Sequence, residues 1–181
     1  MVWVIVAILV LIVLYVISTY NTLIGLKNKA KDGWSQIEVV LKRRADLIPN
    51  LVETVKGYAK HEEGTLTAVV EARNKAISAA TPEEAMKADG EVTQALSRLF
   101  ALTESYPELK ANQNFLDLQA SLEEAENKIT YSRQFYNDNV LNYNNKTEMF
   151  PSNLVASIFK FEKFKFFEAS EKDREAPKVQ F

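Results

Sequence analysis

The sequence contains few of the side chains that catalyse reactions or bind metals. Histidine occurs once, at His61, and cysteine is absent. Zinc proteases need two histidines in an H-E-x-x-H arrangement, and di-iron bundles need a Glu-x-x-His on each of two helices. Carboxylates at 123, 124 and 126 could form an acid and base pair if one were buried, but such clusters more often form a solvated helix face. We therefore predict no catalytic residue, no metal, no cofactor and no small-molecule substrate.

A basic cluster at residues 42–44 is the most distinctive polar feature. Guanidinium groups bind phosphate and carboxylate through two hydrogen bonds, so Arg43 and Arg44 are candidates for docking to lipid headgroups or to a partner protein. Arg44 also falls on an apolar helical stripe, which favours an ion pair inside the folded domain, with a carboxylate such as Glu126. For Arg44 the sequence favours the internal pair and leaves docking as the alternative.

Asparagines interleaved with tyrosines form a second unusual polar feature near the end of the longest regular segment. They lie at 137, 139, 142, 144 and 145, beside Tyr136 and Tyr143. Amides and phenols on one helix could form a hydrogen-bond ladder or a polar recognition face, and a solvated helix end fits the pattern equally well. Tyr136 and Asn137 are the interaction candidates in this stretch.

Residues 159–167 read FKFEKFKFF, with five phenylalanines and three lysines in nine positions. A small helical domain has little room to cover so many rings, and exposed apolar patches usually mark a protein or membrane contact. We predict that Phe161, Phe164 and Phe167 join neighbouring subunits of a homo-oligomer. Contact with the membrane, or folding back onto the chain's own domain, are the alternatives.

The N-terminal segment predicts a membrane anchor. No charged side chain occurs before Lys27, and a helix from Val2 to Thr22 would span about 31 Å, close to the roughly 30 Å of a bilayer's hydrocarbon core. A signal peptide is less consistent with the sequence, because no basic residue precedes the apolar run and no A-x-A pattern follows it. Lysines at 27, 29 and 31 favour the cytoplasm for the following domain, with the extracytoplasmic side as the alternative.

The remaining sequence predicts an all-α fold, an N-terminal transmembrane helix followed by an up-and-down bundle of about four helices. Helices are predicted near 34–58, 65–80, 82–106 and 114–146, with a kink at Pro49 and a capping box at Thr81-Pro82-Glu83-Glu84. We divide the chain into a transmembrane anchor (1–26), a helical bundle (27–158), and an aromatic and basic segment with a charged tail (159–181). The net charge of −2 makes nucleic acid an improbable partner.

Several short motifs together resemble the LemA family over nearly the whole chain. They are YN at 20–21, LKRR at 41–44, DLIPNLV at 46–52, VKGY at 55–58, ESYP at 104–107, LKAN at 109–112, NF at 114–115, EN at 126–127, Arg133, and YN at 136–137. The resemblance implies a single-pass bacterial membrane protein with an up-and-down helical bundle and no established enzymatic activity; we expect the membrane to be the inner membrane. Some relatives are linked to intracellular membrane compartments, and others are encoded near membrane peptidases.

Three functions follow as expectations. The first is a membrane-anchored, non-enzymatic scaffold that contacts the lipid bilayer, self-associates and organises or shapes the membrane. The second is an adaptor or regulator of another membrane protein, such as a peptidase or a sensor. An unrecognised hydrolase comes last. The family resemblance supports the first two only by analogy.

Overall fold

The computed structural model describes residues 1–167, which form six helices and no strand. The helices are α1 (Val2–Lys56), α2 (Glu63–Ser78), α3 (Pro82–Thr103), α4 (Pro107–Lys110), α5 (Gln113–Glu148) and α6 (Ser152–Ile158). The described chain divides into two compact units. Unit 1 comprises Met1–Ser35 and Ser132–Phe167, and unit 2 comprises Gln36–Tyr131.

Unit 2 is built around one apolar core to which every helical segment of the unit contributes. The C-terminal part of α1 and the N-terminal part of α5 supply most of its fully buried side chains, and α2, α3 and α4 supply the others. The largest of these side chains belong to Ile48, Leu51, Val55, Val69, Leu99, Leu109 and Phe115. This arrangement confirms the predicted all-helical bundle.

A local capping signal fixes where α3 begins. The Thr81 hydroxyl accepts a hydrogen bond from the Glu84 N–H at 3.2 Å, and the Glu84 carboxylate accepts from the Thr81 N–H at 3.3 Å. This reciprocal pair satisfies two of the N–H groups that a helix start leaves without a partner. The predicted capping box is therefore confirmed, and Pro82 occupies the first turn of α3.

Unit 1 consists of the N-terminal part of α1, the C-terminal part of α5, α6 and an extended segment at residues 161–167. Trp34 stacks edge-on against Tyr136 with ring centroids 5.8 Å apart, and Leu23 packs in one cluster with Tyr143. The numbering falls along α1 as it rises along α5, so the two helices are antiparallel. A Cβ atom on Gly33 would lie 3.2 Å from the Tyr136 Cα, which shows how closely their backbones approach.

Several boundaries differ from the sequence prediction. Pro49 lies inside α1, in agreement with the predicted helix that runs through it, but α1 begins at Val2 and ends at Lys56, and the short helix α4 is not among the predicted helices. A break at residues 57–62 separates α1 from α2. Residues 16–26, which were assigned to the anchor, also contribute to the core of unit 1 through Val16, Leu23 and Leu26. The charged tail at 168–181 lies outside the described residues.

Candidate functional site

The candidate site is a hydrogen-bond ladder on α5 that holds the extended segment of the same chain. Asn137 and Asn144 lie seven positions apart, two turns of helix, which corresponds to a rise of about 10.5 Å. An extended chain rises about 3.3 Å per residue, so Phe164 and Phe167 are separated by about 10 Å. The two spacings match, and each asparagine therefore faces one phenylalanine of the segment.

Each asparagine binds the main chain of its phenylalanine through both atoms of its amide. The Asn137 Nδ2 donates to the Phe167 carbonyl at 3.0 Å, and its Oδ1 accepts from the Phe167 N–H at 2.8 Å. Asn144 repeats the arrangement with Phe164, at 2.9 Å and 3.1 Å. These contacts involve only main-chain atoms of the segment, so they do not select for its side chains.

Two tyrosines with the same seven-residue spacing complete the ladder. The Tyr136 hydroxyl donates to the Lys165 carbonyl at 2.9 Å, and the Tyr143 hydroxyl donates to the Glu162 carbonyl at 2.8 Å. Burial raises the pKa of the Tyr143 phenol, and the negative charge of Glu162 acts in the same direction. The phenol therefore stays protonated as a hydrogen-bond donor at neutral pH.

Aromatic contacts anchor the end of the segment. Phe167 is buried, and its ring lies 6.4 Å from the Trp34 ring and 4.4 Å from the guanidinium carbon of Arg133. A guanidinium over an aromatic face is attracted by the ring quadrupole. Phe164 packs against Tyr143 with centroids 5.2 Å apart, and Phe161 packs against Tyr20 at 5.7 Å. The structure thus shows the fold-back alternative for these rings within the single chain, because α1 and α5 together cover them.

Arg44 takes the internal position that the sequence favoured. Its Nη1 donates to the Asp89 carboxylate at 2.9 Å and to the Thr93 hydroxyl at 3.0 Å, and the Glu126 carboxylate lies 2.9 Å away. The side chain is only 5% exposed, so it does not present a docking surface. Arg43 is exposed and lies 3.9 Å from Glu124, so docking through Arg43 stays a prediction.

The other titratable candidates do not form a clustered site. His61 is exposed in the break between α1 and α2, and Glu123 and Glu124 lie on the exposed face of α5. Within residues 1–167, no group of three or more His, Cys, Asp or Glu side chains is placed to hold a metal ion.

Sequence reasoning named Tyr136 and Asn137 and raised a ladder as one alternative, but it did not identify what the ladder binds. Asn144 and Tyr143 belong to the same site, and so do Trp34 and Arg133. The repeat of a Tyr-Asn pair at 136–137 and 143–144 was the signal that could have revealed it. Two identical pairs two turns apart face the same direction on a helix.

The fold is that of an all-helical protein, and α1 is long and apolar enough to cross a membrane, with its apolar window almost wholly exposed, which suggests membrane anchoring. Residues 33–181 match the LemA family, and the chain belongs to that family.

Its curated relatives include magnetosome proteins. Magnetosome protein MamQ 2 of Paramagnetospirillum magneticum strain AMB-1 is 27% identical over 175 residues, covering 82% of this chain and 64% of the relative. MamQ of Magnetospirillum gryphiswaldense strain MSR-1 is 24% identical over 185 residues, covering 88% and 68%. Protein LemA of Metamycoplasma hominis is 27% identical over 158 residues, covering 85% and 71%. The chain thus spans about two thirds of the length of these relatives.

Proposed function

We propose that this protein is a non-enzymatic scaffold, anchored in the bacterial inner membrane by a single span, whose copies associate by exchanging the extended segment at residues 161–167. The proposal rests on one observation, that the ladder on α5 binds the main chain of the segment. Both ladder asparagines bind an N–H and a carbonyl group of the segment, and both ladder tyrosines donate to its carbonyl groups. The segment of a neighbouring copy presents the same groups, so it would bind with equal geometry.

The backbone conformation of Lys160, directly before the segment, favours exchange. Lys160 has φ = 54°, in the left-handed region, where a non-glycine residue is destabilised by about 1–2 kcal/mol. A segment that reaches a neighbour can release this residue to ordinary extended backbone. The anchors add a second factor, because they hold neighbouring chains parallel in one plane and raise the effective concentration of each segment near the next ladder.

Two further features support an organising role in the membrane. Three of the curated relatives are named as magnetosome proteins. Lysines at 27, 29 and 31 follow the apolar run, which favours the cytoplasmic side for the folded units.

An adaptor is the second candidate, and one observation favours it. The side chains of Glu162, Lys163 and Lys165 are exposed while their stretch of main chain is bound. Because the ladder binds only main-chain atoms, it can also accept an extended segment of another membrane protein. Peptides bound by strand addition are held through main-chain hydrogen bonds in a similar way. In that case the segment of this chain occupies the site until the partner displaces it.

Engineered cysteines test the exchange, since the natural chain has none. Glu148 and Lys163 form an exposed ion pair between α5 and the segment. Full-length chains carrying Glu148→Cys and differently tagged chains carrying Lys163→Cys are co-expressed and oxidised in membranes. If copies exchange their segments, a disulfide links a chain with one tag to a chain with the other tag. As a control, Gln134→Cys replaces Glu148→Cys, because residue 134 lies about 21 Å along the helix from residue 148.

The outcomes separate the two functions. A mixed disulfide with Glu148→Cys, absent with Gln134→Cys, supports exchange between copies. If a chain carrying both cysteines closes its disulfide internally while the mixed pair never forms, the self-association proposal is wrong. Capture of a distinct membrane protein through Glu148→Cys alone would then favour the adaptor.

A further inference from the structure

Residues 149–159 form a second uncharged stretch, and most of its large apolar side chains face outward. The sequence MFPSNLVASIF is the longest run without Asp, Glu, Lys or Arg after residue 26. It comprises the turn after α5 and the whole of α6. Phe150 is 80% exposed and Ile158 72% exposed, with Met149 and Leu154 also exposed. Such a patch at a chain turn marks a contact surface.

The position of this stretch along α1 indicates what covers it. Val155 and Ala156 of α6 form a cluster with Leu23, and Val16 packs against that cluster. Val16 and Leu23 both lie in the run of α1 that precedes the first charged side chain, Lys27, and that run contains the segment assigned to the span.

The antiparallel course of α5 carries its end in the same direction. Tyr143 packs beside Leu23, and α5 continues for five more residues, about 7.5 Å, towards the N-terminal end of α1 before it ends at Glu148 and the chain turns into α6. The ring of Phe159 lies 4.8 Å from that of Tyr20, within the segment assigned to the span. Residues of the uncharged stretch thus pack beside the end of the apolar run before Lys27, the part of the anchor nearest to the folded units.

We propose that residues 149–159 insert into the bilayer leaflet that faces the folded units and form a second, shallow membrane contact beside α1. The inference rests on the proposed membrane anchoring but not on segment exchange. The lysines at 160, 163 and 165 follow directly, and such side chains place their charge among the headgroups while their stems cover apolar surface.

The polar groups of the turn are largely satisfied within the chain. The Ser152 hydroxyl donates towards the carbonyls of Lys146 at 2.7 Å and Met149 at 2.8 Å. The N–H of Asn153 donates to the Met149 carbonyl at 2.9 Å, and that of Leu154 to the Pro151 carbonyl at 3.2 Å. Main-chain groups with internal partners can enter an apolar layer without losing hydrogen bonds to water.

Spin-label depth measurement on the full-length protein tests the insertion. Single cysteines replace Phe150 and Ile158, whose exposure makes a structural effect small. Leu9→Cys reports the span, and the exposed Gln134→Cys lies about 21 Å along α5 from its end at Glu148 and serves as the aqueous control. Each nitroxide variant is reconstituted at low density in phosphatidylethanolamine and phosphatidylglycerol vesicles, and collision with oxygen is compared with collision with a water-soluble nickel complex.

We expect the labels at 150 and 158 to resemble that at 9, with high oxygen and low nickel accessibility. If either label behaves like that at 134 while the label at 9 stays in lipid, the insertion proposal is wrong and the anchor stands. A label shielded from both reagents is covered by protein, which also overturns the proposal. If the label at 9 is itself in water, the anchoring on which both proposals depend has failed.

Discussion

The side chain of Asn144 and the main chain of Phe164 exchange two hydrogen bonds, with Nδ2 donating to the carbonyl at 2.9 Å and Oδ1 accepting from the N–H at 3.1 Å. Asn144 is 8% exposed, although it lies in a helix rich in solvated amides. The pairing explains this burial, because a buried amide is tolerated when its donor and acceptor both have partners. Through Asn144 and Asn137, a polar face of α5 thus binds the extended segment.

Asn144→Ala should release the extended segment. The change leaves the Phe164 N–H and carbonyl without their partners, which destabilises the bound segment by about 1–3 kcal/mol. Hydrogen exchange at the Phe164 amide and trypsin cleavage after Lys163 should both become faster in the detergent-solubilised protein. Asn142→Ala, at an exposed position of the same helix, is the control and should change neither. Unchanged exchange at Phe164 in the Asn144 variant would show that the ladder does not hold the segment.

Arg44→Ala should destabilise unit 2 strongly. It leaves the Asp89 carboxylate, 2% exposed, without the guanidinium that compensates its burial, and breaking such a pair costs on the order of 3–5 kcal/mol. The melting temperature, followed by circular dichroism, should fall by many degrees. Arg43→Ala removes a half-exposed cation 3.9 Å from Glu124 and should change stability by less than about 1 kcal/mol. Equal melting temperatures for the two variants would contradict the structural role of Arg44.

The internal pairing of Arg44 was predictable, but only one of its carboxylate partners was. The alternating spacing of apolar residues places position 44 on the buried stripe of α1, so an internal partner was required. Glu126 was named, and the structure confirms it. Asp89 was missed, because its position opposite Arg44 depends on how α3 packs on α1. Tertiary packing of this kind cannot be predicted from the local sequence pattern of either helix.

The extended segment shows a second limit of sequence reasoning. Five phenylalanines in nine residues suggested an excess of apolar surface, and they gave no reason to expect an extended chain bound along a helix. That arrangement requires the rise between residues 164 and 167 to match two turns of α5. The match relates two distant parts of the chain, so neither part reveals it alone.

Gly33→Ala should separate α1 from α5. The added Cβ would lie 3.2 Å from the Tyr136 Cα, a backbone atom that moves only if the helix moves. Overpacking of this kind costs about 1–3 kcal/mol, so the melting temperature should fall. Gly25→Ala is the matched control, because nothing lies within 4 Å of its Cβ position. It should be neutral or stabilise by up to about 1 kcal/mol through helix propensity. A Gly33 variant as stable as the Gly25 variant would rule out the close approach.

Tyr143→Phe should reveal a pH-dependent part of the stability. The folded state raises the pKa of the phenol above its ordinary value of 10.0, through burial and then the charge of Glu162. A raised pKa favours the protonated form in the folded state, so its contribution is complete below pH 10.0 and is lost as the pH rises through the folded pKa. The stability difference between the natural protein and the variant should be constant at neutral pH and shrink in strong base. A difference that persists unchanged in strong base would contradict this account.

Two truncations should show where the anchor ends and the fold begins. Residues 1–15 are all exposed, whereas Leu23 is fully buried beside Tyr143. Removing residues 1–15 should therefore leave unit 1 intact. Removing residues 1–26 also deletes the Leu23 side chain, and loss of a buried leucine of this kind costs about 2–5 kcal/mol. We expect the longer truncation to melt at a lower temperature and to expose the segment at 161–167 to trypsin. Equal melting temperatures and equal cleavage would show that α1 contributes nothing to the core before residue 27.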